Sequence, residues 1–384
     1  MRRRDFLRRG ARAAAGLTLA TRATAARSTP RDQSAPGIPE IERLIQKLMA
    51  DAGVPGASIA VVRDGRLAWR RAFGVRDAVS RVPVDDDTIF AVASVSKTVF
   101  AYAAMNLCDK GVLGLDTPLV HYARARFLDG DPRLDRITTR HALSHTSGLQ
   151  NWRSGDAPLR IHFEPGDKHL YSGEGYFYLQ SVITDLRGRR DPTTCERFEA
   201  DVEVCGTDVD TYLRTNLLEP FGMRNSGYLW TDDGRRRAAR AHAPDGTPLE
   251  AGGASTAALA RYAAAGGLHT TATDYAKFLI EVIDPGPADA FRLSKSSRDE
   301  MIRPHVKVDG SSSWALGWQV RHTPTGDLIQ HQGGQGGVQA FTAASPARRS
   351  GYVILTNSAN GMQVFYAPAF VDAMDRYLFS RPEG

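Results

Sequence analysis

Strand signals at both ends of the chain and a helical middle predict an α+β fold: an antiparallel sheet flanked by helices, with an inserted, mostly helical subdomain. At the N-terminal end, residues 57–62 and 67–75 are apolar runs on either side of Asp64-Gly65, a dipeptide suited to the left-handed turn of a two-residue hairpin. Near the other end, residues 314–320, 327–331, 338–344 and 351–356 form short β-prone runs separated by turn signals. Helices close both ends. Ile41, Leu44, Ile45, Leu48 and Met49 keep helical spacing over 39–52, and a last helix is expected over 364–378. These elements divide residues 38–384 into a sheet subdomain, about 38–90 with 300–384, and a helical subdomain, about 91–299. A cleft between two such parts is a natural ligand site.

The first residues, Arg2-Arg3-Arg4-Asp5-Phe6-Leu7-Arg8-Arg9, form a twin-arginine pattern. An Ala/Gly/Leu stretch and the small-x-small triplet Ala23-Thr24-Ala25 follow. That succession predicts an export signal over 1–25 rather than a nucleic-acid-binding arm, and so a periplasmic or extracellular protein. Residues 26–37, rich in Ser, Pro, Arg and Gly, read as a flexible lead-in. The formal charge of +6 belongs to the signal, whose seven Arg and one Asp leave 42 basic and 42 acidic residues in the remainder. Nothing in that balance points to nucleic acid or an anionic membrane as a partner, and no later stretch reaches about 18 consecutive apolar residues. Cys195 and Cys205 lie ten apart in a polar stretch. In an oxidising compartment they are expected to close a local disulfide, within a 190–206 insertion that shapes the cleft rim or an interface. Cys108 reads as a buried space-filler, and three cysteines without paired histidine spacing argue against structural zinc.

Ser94-Val95-Ser96-Lys97 is the only S-x-x-K in the chain. It follows the apolar run Ile89–Ala93 and opens a helix-like segment, Thr98 to Asp109. A serine and a lysine three apart at a helix start share one face, and the serine amide falls among the unpaired N–H groups of the first turn. That arrangement offers a nucleophile, a base and an oxyanion donor. Of the 49 basic residues only seven are lysines, so arginine is the default cation of this chain. A base cannot be arginine, whereas a buried lysine can deprotonate. The motif also suits a capping serine followed by a solvated lysine, and taken alone it leaves both readings open.

Other candidates stand at turns. Tyr171-Ser172-Gly173 follows Phe163-Glu164-Pro165-Gly166, and a tyrosine beside a lysine can relay a proton, though Tyr171 also suits ordinary packing. His331-Gln332-Gly333-Gly334 ends an expected strand. Its glycines would let a substrate backbone approach, and His331 could supply a proton or hydrogen bond, or sit idle on a turn. Three rivals are weaker. His141 and His145 have the i, i+4 spacing of a zinc helix but lack the glutamate of H-E-x-x-H. Gly253-Ala254-Ser255-Thr256-Ala257 imitates a nucleophile elbow without its last glycine. Gly333-Gly334-Gln335-Gly336-Gly337 imitates a phosphate loop but precedes a strand and lacks Gly-Lys-Ser/Thr.

In this order the motifs resemble the serine β-lactamase and penicillin-binding superfamily, its class C β-lactamase-like branch with esterase and D-peptidase relatives above all. The resemblance runs from about Ile38 to Leu378. It is carried by Val54-Pro55-Gly56, by Phe90 to Lys97 and by Ile137-Thr138-Thr139-Arg140-His141-Ala142-Leu143-Ser144-His145-Thr146-Ser147-Gly148-Leu149. Glu219-Pro220-Phe221-Gly222-Met223 and Leu316-Gly317-Trp318 add to it. It implies a β-lactamase/transpeptidase-like fold and a serine hydrolase working through an acyl-enzyme without metal or organic cofactor. Ser94 would be the nucleophile, Lys97 the adjoining base, Tyr171 the second motif and His331-Gln332-Gly333 the third. Backbone N–H groups of Ser94 and Gly334 would form the oxyanion hole, and His141 and His145 would be structural residues of a helical segment. Two departures bear on substrate. Gly173 stands where the second motif usually ends in Asn, and Gln332 where many relatives carry a small hydroxyl residue. Both favour carboxylic esters or short peptide amides over β-lactams. D-alanyl-D-alanine carboxypeptidase or β-lactamase activity remains an alternative, and a non-turnover penicillin- or peptide-binding module is an alternative of another class.

Overall fold

The computed structural model describes residues 36–122, 130–153, 158–187, 195–197, 203–250 and 263–380. Its first elements follow the local code. Helix α1 (Ile38–Ala52) turns Ile41, Ile45 and Met49 inward and ends at Gly53, which takes the left-handed φ of 65° that a helix stop requires. Strands β1 (Gly56–Arg63) and β2 (Arg66–Gly74) are joined by Asp64 and Gly65, both at positive φ (51° and 73°). This is the turn that asparagine-like residues and glycine accept and other residues resist.

The remaining strands are β3 (Phe90–Ala91), β4 (Cys195–Arg197), β5 (Glu203–Cys205), β6 (His269–Thr270), β7 (Val306–Lys307), β8 (Ser312–Trp314), β9 (Gln319–Arg321), β10 (Leu328–Gln335), β11 (Val338–Ser345) and β12 (Ser350–Thr356). Among the described residues, eight of these twelve strands form one antiparallel sheet in the order β2-β1-β12-β11-β10-β9-β8-β7. The N-terminal hairpin is thus stitched to the last strand of the chain, with Ile59 opposite Ile354. Non-local pairing of this kind holds both ends of the chain in one sheet.

The central strands are covered on both faces. Ile59 and Val61 of β1 and Tyr352 and Ile354 of β12 pack with α1 and with Phe370 and Met374. Their neighbours Ala60, Val62, Val353 and Leu355 point the other way, against Phe278 and Leu279 of helix Ala272–Ile283 and on into the helical middle. Burial on two sides explains why these strands are continuous apolar runs rather than alternating ones. Each fully buried Ile, Leu or Phe contributes roughly 1.5–3 kcal/mol. Edge strand β2 is instead largely exposed and carries Arg66, Arg70 and Arg71, charges that discourage pairing with another sheet edge.

Three expectations are corrected. Residues 314–320 are not one strand: β8 and β9 are separated by a tight turn in which the Ala315 N–H donates to the Trp318 carbonyl (2.7 Å), with Gly317 at φ 86°. The strand expected to stop at His331 runs on to Gln335, so Gly333 and Gly334 lie inside the ladder and Gly336-Gly337 makes the turn to β11. The closing helix is broken into Met362–Phe365, Pro368–Met374 and Asp375–Phe379, because Pro368 cannot continue the first segment. In the 190–206 region, β4 and β5 pair with Cys195 opposite Cys205. Opposed residues of an antiparallel pair have the Cα spacing a disulfide needs, while the side chains themselves lie outside the described residues. Gly253 to Ala257 lie outside them too. Among the described residues no helix is long and apolar enough to cross a membrane.

Gly317 ties the small strands to the helix that follows Ser94. A Cβ there would stand 2.4 Å from the Cβ of Ala101, at a φ that only glycine adopts freely. Gly317→Ala is expected to destabilise the protein by about 2 kcal/mol or more, read as a lowered denaturation midpoint.

Candidate active site

The turn that carries Ser94 is built by backbone strain and one serine, Ser96. Ala93 holds a left-handed φ of 46°, uncommon for a residue with a side chain, at the start of the 3-10 turn Ala93–Val95. Ser96 fixes it: its hydroxyl donates to the Ala93 carbonyl (2.6 Å) and accepts the Leu268 N–H (2.9 Å). The Val92 N–H donates to the Leu268 carbonyl (3.1 Å), so the segment is clamped to residue 268 from both sides. Helix α2 (Ser96–Asp109) then runs through the core with Ser96 to Leu107 all buried. Ser94 remains half-buried at its mouth.

Lys97, one residue into α2, is 1% exposed. Its Nζ lies 3.2 Å from Ser94 Oγ, within hydrogen-bond reach, and donates to the Ala265 carbonyl at 2.7 Å. The rings of Tyr171 and Tyr176 flank it at 5.0 and 5.4 Å. None of these four is an anion. Burial therefore pulls the ammonium pKa down to about 7, far below its ordinary value. Gln180 steadies the acceptor, its amide oxygen taking the Ala264 N–H at 2.7 Å.

Tyr171 reaches Ser94 from the other side. Its ring lies 5.0 Å from Lys97 Nζ, and burial outweighs the lowering influence of the Ser94 side chain and pushes the phenol well above its ordinary pKa. Its position is set by His145. Helix α3 (Thr139–Leu143) stops before that residue, which takes φ 57°. The His145 carbonyl accepts the Leu170 N–H (2.8 Å), its Nδ1 accepts the Ser172 N–H (3.0 Å), and its ring lies 4.2 Å from that of Tyr171. Ser172 caps helix α4 (Gly173–Arg187), its hydroxyl accepting the Gly175 N–H and donating to the Gln150 carbonyl, both at 2.9 Å.

His331 enters from β10 and is 2% exposed. Its Nδ1–H donates to the Gln332 carbonyl (2.7 Å), which leaves Nε2 as the lone-pair nitrogen, without a partner among the described residues. Burial first, then the nearby Lys97 charge, lower its pKa to about 3, so the ring is neutral. Gln332 points to the rim, where its amide oxygen accepts from the Tyr366 hydroxyl. Gly333 packs so closely on the nucleophile turn that a Cβ would stand 2.1 Å from the Val92 carbonyl oxygen and 3.0 Å from the Ser94 nitrogen. Only glycine lets β10 approach, and Gly334 follows immediately.

A serine bonded to a buried, charge-poor lysine, backed by a tyrosine and set against a glycine strand, is thus assembled from four separate segments. Residues 41–373 match the family model described as Beta-lactamase. The chain belongs to the beta-lactamase family of serine hydrolases. An uncharacterized protein of Mycobacterium tuberculosis is 27% identical over 280 residues, covering 66% of this chain and 69% of its own. Esterase EstB of Burkholderia gladioli is 35% identical over 115 residues, 29% of each chain. Among solved structures, a class C beta-lactamase (TM-score 0.71, 21% identity) spans 89% of this chain and 96% of its own. The octameric penicillin-binding protein homologue from Pyrococcus abyssi (TM-score 0.70, 23% identity) spans 87% and 77%. These structures share the fold of this beta-lactamase family member.

Ser94, Lys97, Tyr171 and His331 meet at one place, with Gly333 against Ser94; Gly173 stands two residues beyond Tyr171. The Ala265 carbonyl, Gln180 and His145 also belong to the site. A carbonyl and a glutamine in apolar helical runs carry no motif, and His145 attracts attention only as half of a zinc-like pair. The helical-segment reading of His141 and His145 is corrected for His145, which lies past the helix end and does not share a face with His141. Among the described residues no group of three His, Cys, Asp or Glu side chains is placed to hold a metal ion.

The neutral, buried His331 has a measurable consequence. Between its lowered pKa near 3 and the unfolded value of 6.5, the unfolded chain binds a proton that the folded chain refuses. Stability therefore falls as pH drops through 6.5. Comparing His331→Gln with wild type by denaturant unfolding at pH 7 and pH 5, the variant should lose about 2 kcal/mol less on acidification.

Proposed function

We propose that the protein is an exported serine hydrolase that cleaves carboxylic esters or short peptide amides through an acyl-enzyme on Ser94. The observation that carries this reading is Lys97: a fully buried amine 3.2 Å from Ser94 Oγ with a pKa near 7 and, among the described residues, no carboxylate beside it. Near neutral pH a large share of such a lysine is unprotonated, so its lone pair can take the Ser94 proton as Oγ attacks the carbonyl carbon. The backbone N–H groups of Ser94 and Gly334 hold the developing oxyanion. Tyr171, whose phenol is pushed up rather than down, stays protonated and serves as the relay that passes the proton from Lys97 to the leaving oxygen or nitrogen. A water then attacks the acyl-enzyme, gives its proton back through the same pair and releases the acid.

The direction of the two shifts supports Lys97, not Tyr171, as the base. Neutral His331, with Nε2 free to accept, suits holding a substrate or water hydrogen rather than protonating the leaving group. Gly173 and the rim-facing Gln332 favour esters over β-lactams, with D-alanyl-D-alanine carboxypeptidase activity as the alternative within this mechanism. A non-turnover penicillin- or peptide-binding module would keep the Ser94 acylation and lack the water step. The mature partner is a small ester or peptide, and the twin-arginine segment directs it outside the cytoplasm.

Two experiments test the reading. With p-nitrophenyl esters and residues 26–384, Ser94→Ala should abolish turnover, and Lys97→Arg should lower kcat by about 10²–10⁴-fold. Wild-type kcat/KM should rise with pH through an apparent pKa near 7 and level off above it, because the base works only unprotonated. A burst without turnover would identify the binding module instead, and a rate unchanged in Ser94→Ala would refute the mechanism. For export, Arg3→Lys/Arg4→Lys in the full chain should leave the protein uncleaved inside the cell, checked by fractionation.

A further inference from the structure

Gly173 opens α4 two residues beyond Tyr171. A Cβ at this position would stand 2.2 Å from Cζ2, 2.4 Å from Cε2 and 2.5 Å from Cη2 of Trp152. Carbon atoms do not approach so closely, so the benzo edge of the indole already fills the space into which a side chain at 173 would project. The indole is half-buried.

Its neighbours lock it in place. Asn151 accepts the Gly173 N–H on its side-chain oxygen (2.9 Å) and the Glu174 N–H on its carbonyl (3.0 Å). Arg153 donates from its backbone N–H, Nε and Nη2 to the Glu174 carboxylate, each at 3.1 Å, with the two side chains only 5% and 0% exposed. A buried pair of this geometry resists being pulled apart. Residues 151–153 are zipped onto the start of α4, and Trp152 has no slack to swing away.

We propose that Trp152 is the specificity-determining wall of the acyl subsite, selecting esters whose acyl group is a plain hydrocarbon over those bearing an amide on the α-carbon. This rests on Ser94 being the nucleophile. The Tyr171 ring lies 5.0 Å from Lys97 Nζ, itself 3.2 Å from Ser94 Oγ, and Gly173, against which the indole packs, is two residues further on, a reach of at most about 7 Å, so we place the indole beside the acyl position. An acyl amide pressed against these indole carbons loses its water, a cost that carbon contacts do not repay. The side-chain amide oxygens of Asn151 and Gln332 already accept from the Gly173 N–H and the Tyr366 hydroxyl, so an acyl N–H would have to compete for them. A hydrocarbon chain on the same carbons leaves water at a gain. The missing second-motif amide is therefore not a loss of function: the indole has taken its volume and reversed its polarity.

The test compares kcat/KM for p-nitrophenyl hexanoate and p-nitrophenyl N-acetylglycinate, which share a leaving group and differ in acyl polarity. Wild type should favour the hexanoate by about tenfold or more. Trp152→Ala should lower that ratio about tenfold, and Trp152→Ala/Gly173→Asn should lower it further by raising the N-acetylglycinate rate. Trp152→Phe, which keeps a ring in the core, carries the test if Trp152→Ala does not fold and should shift the ratio the same way. A wild type that prefers the amide-bearing ester, or folded variants whose ratio stays within twofold of wild type, overturns the proposal. Ester hydrolysis that survives Ser94→Ala would instead remove the mechanism beneath it.

Discussion

The burial of Lys97 with no anion beside it among the described residues is the constraint on which the site depends. An ammonium taken out of water is costly unless a negative charge goes with it, and this one meets a serine hydroxyl, a peptide carbonyl and two aromatic rings. The cheaper state is the neutral amine. A carboxylate at the same distance would restore the charge and take away the free lone pair. The site therefore works by what is withheld from Lys97 as much as by what is placed near it.

The contrast with Arg153 and Glu174 shows that the chain is not short of acids for its buried cations. Those two side chains are buried together, fully paired, and serve to pin a loop. Buried charge is thus handled in two ways a few residues apart in the structure. Where the cation is a fixture it is an arginine with a carboxylate; where it must shed a proton it is a lysine with neutral company. His145 and His331 extend the second pattern, since both are buried in the same aromatic surroundings with lowered pKa values, and an additional positive charge would raise the cost of protonating Lys97.

The sheet supplies the rigidity that this electrostatic arrangement needs. Gly333 can press β10 onto the Val92–Val95 turn because β10 is held between β9 and β11, and the turn cannot retreat because Ser96 and Leu268 clamp it from behind. The strained φ of Ala93 persists for the same reason. The helical region contributes the other walls: α2 brings Lys97, α4 brings Gln180, and the 145–173 stretch brings Tyr171.

Much of this was legible in the sequence because its signals are local. The Asp64-Gly65 hairpin, the helix period of α1, the unique Ser94/Lys97 spacing and the preference for arginine elsewhere all depend on residues near one another in the chain. Even here the local signal misplaced some boundaries: Gly317 and Pro368 divide segments that apolar content alone would join. What the sequence by itself determined is the inventory: a candidate nucleophile and a candidate base one turn apart, strands at both ends, and a glycine where a polar residue is usual. Whether Lys97 is charged, whether His331 donates or accepts, and what fills the space beside Gly173 were decided by tertiary structure alone. Those properties come from desolvation and close packing, and both are set by residues such as Ala265, His145 and Trp152 that carry no motif and reach the site only when the chain is folded.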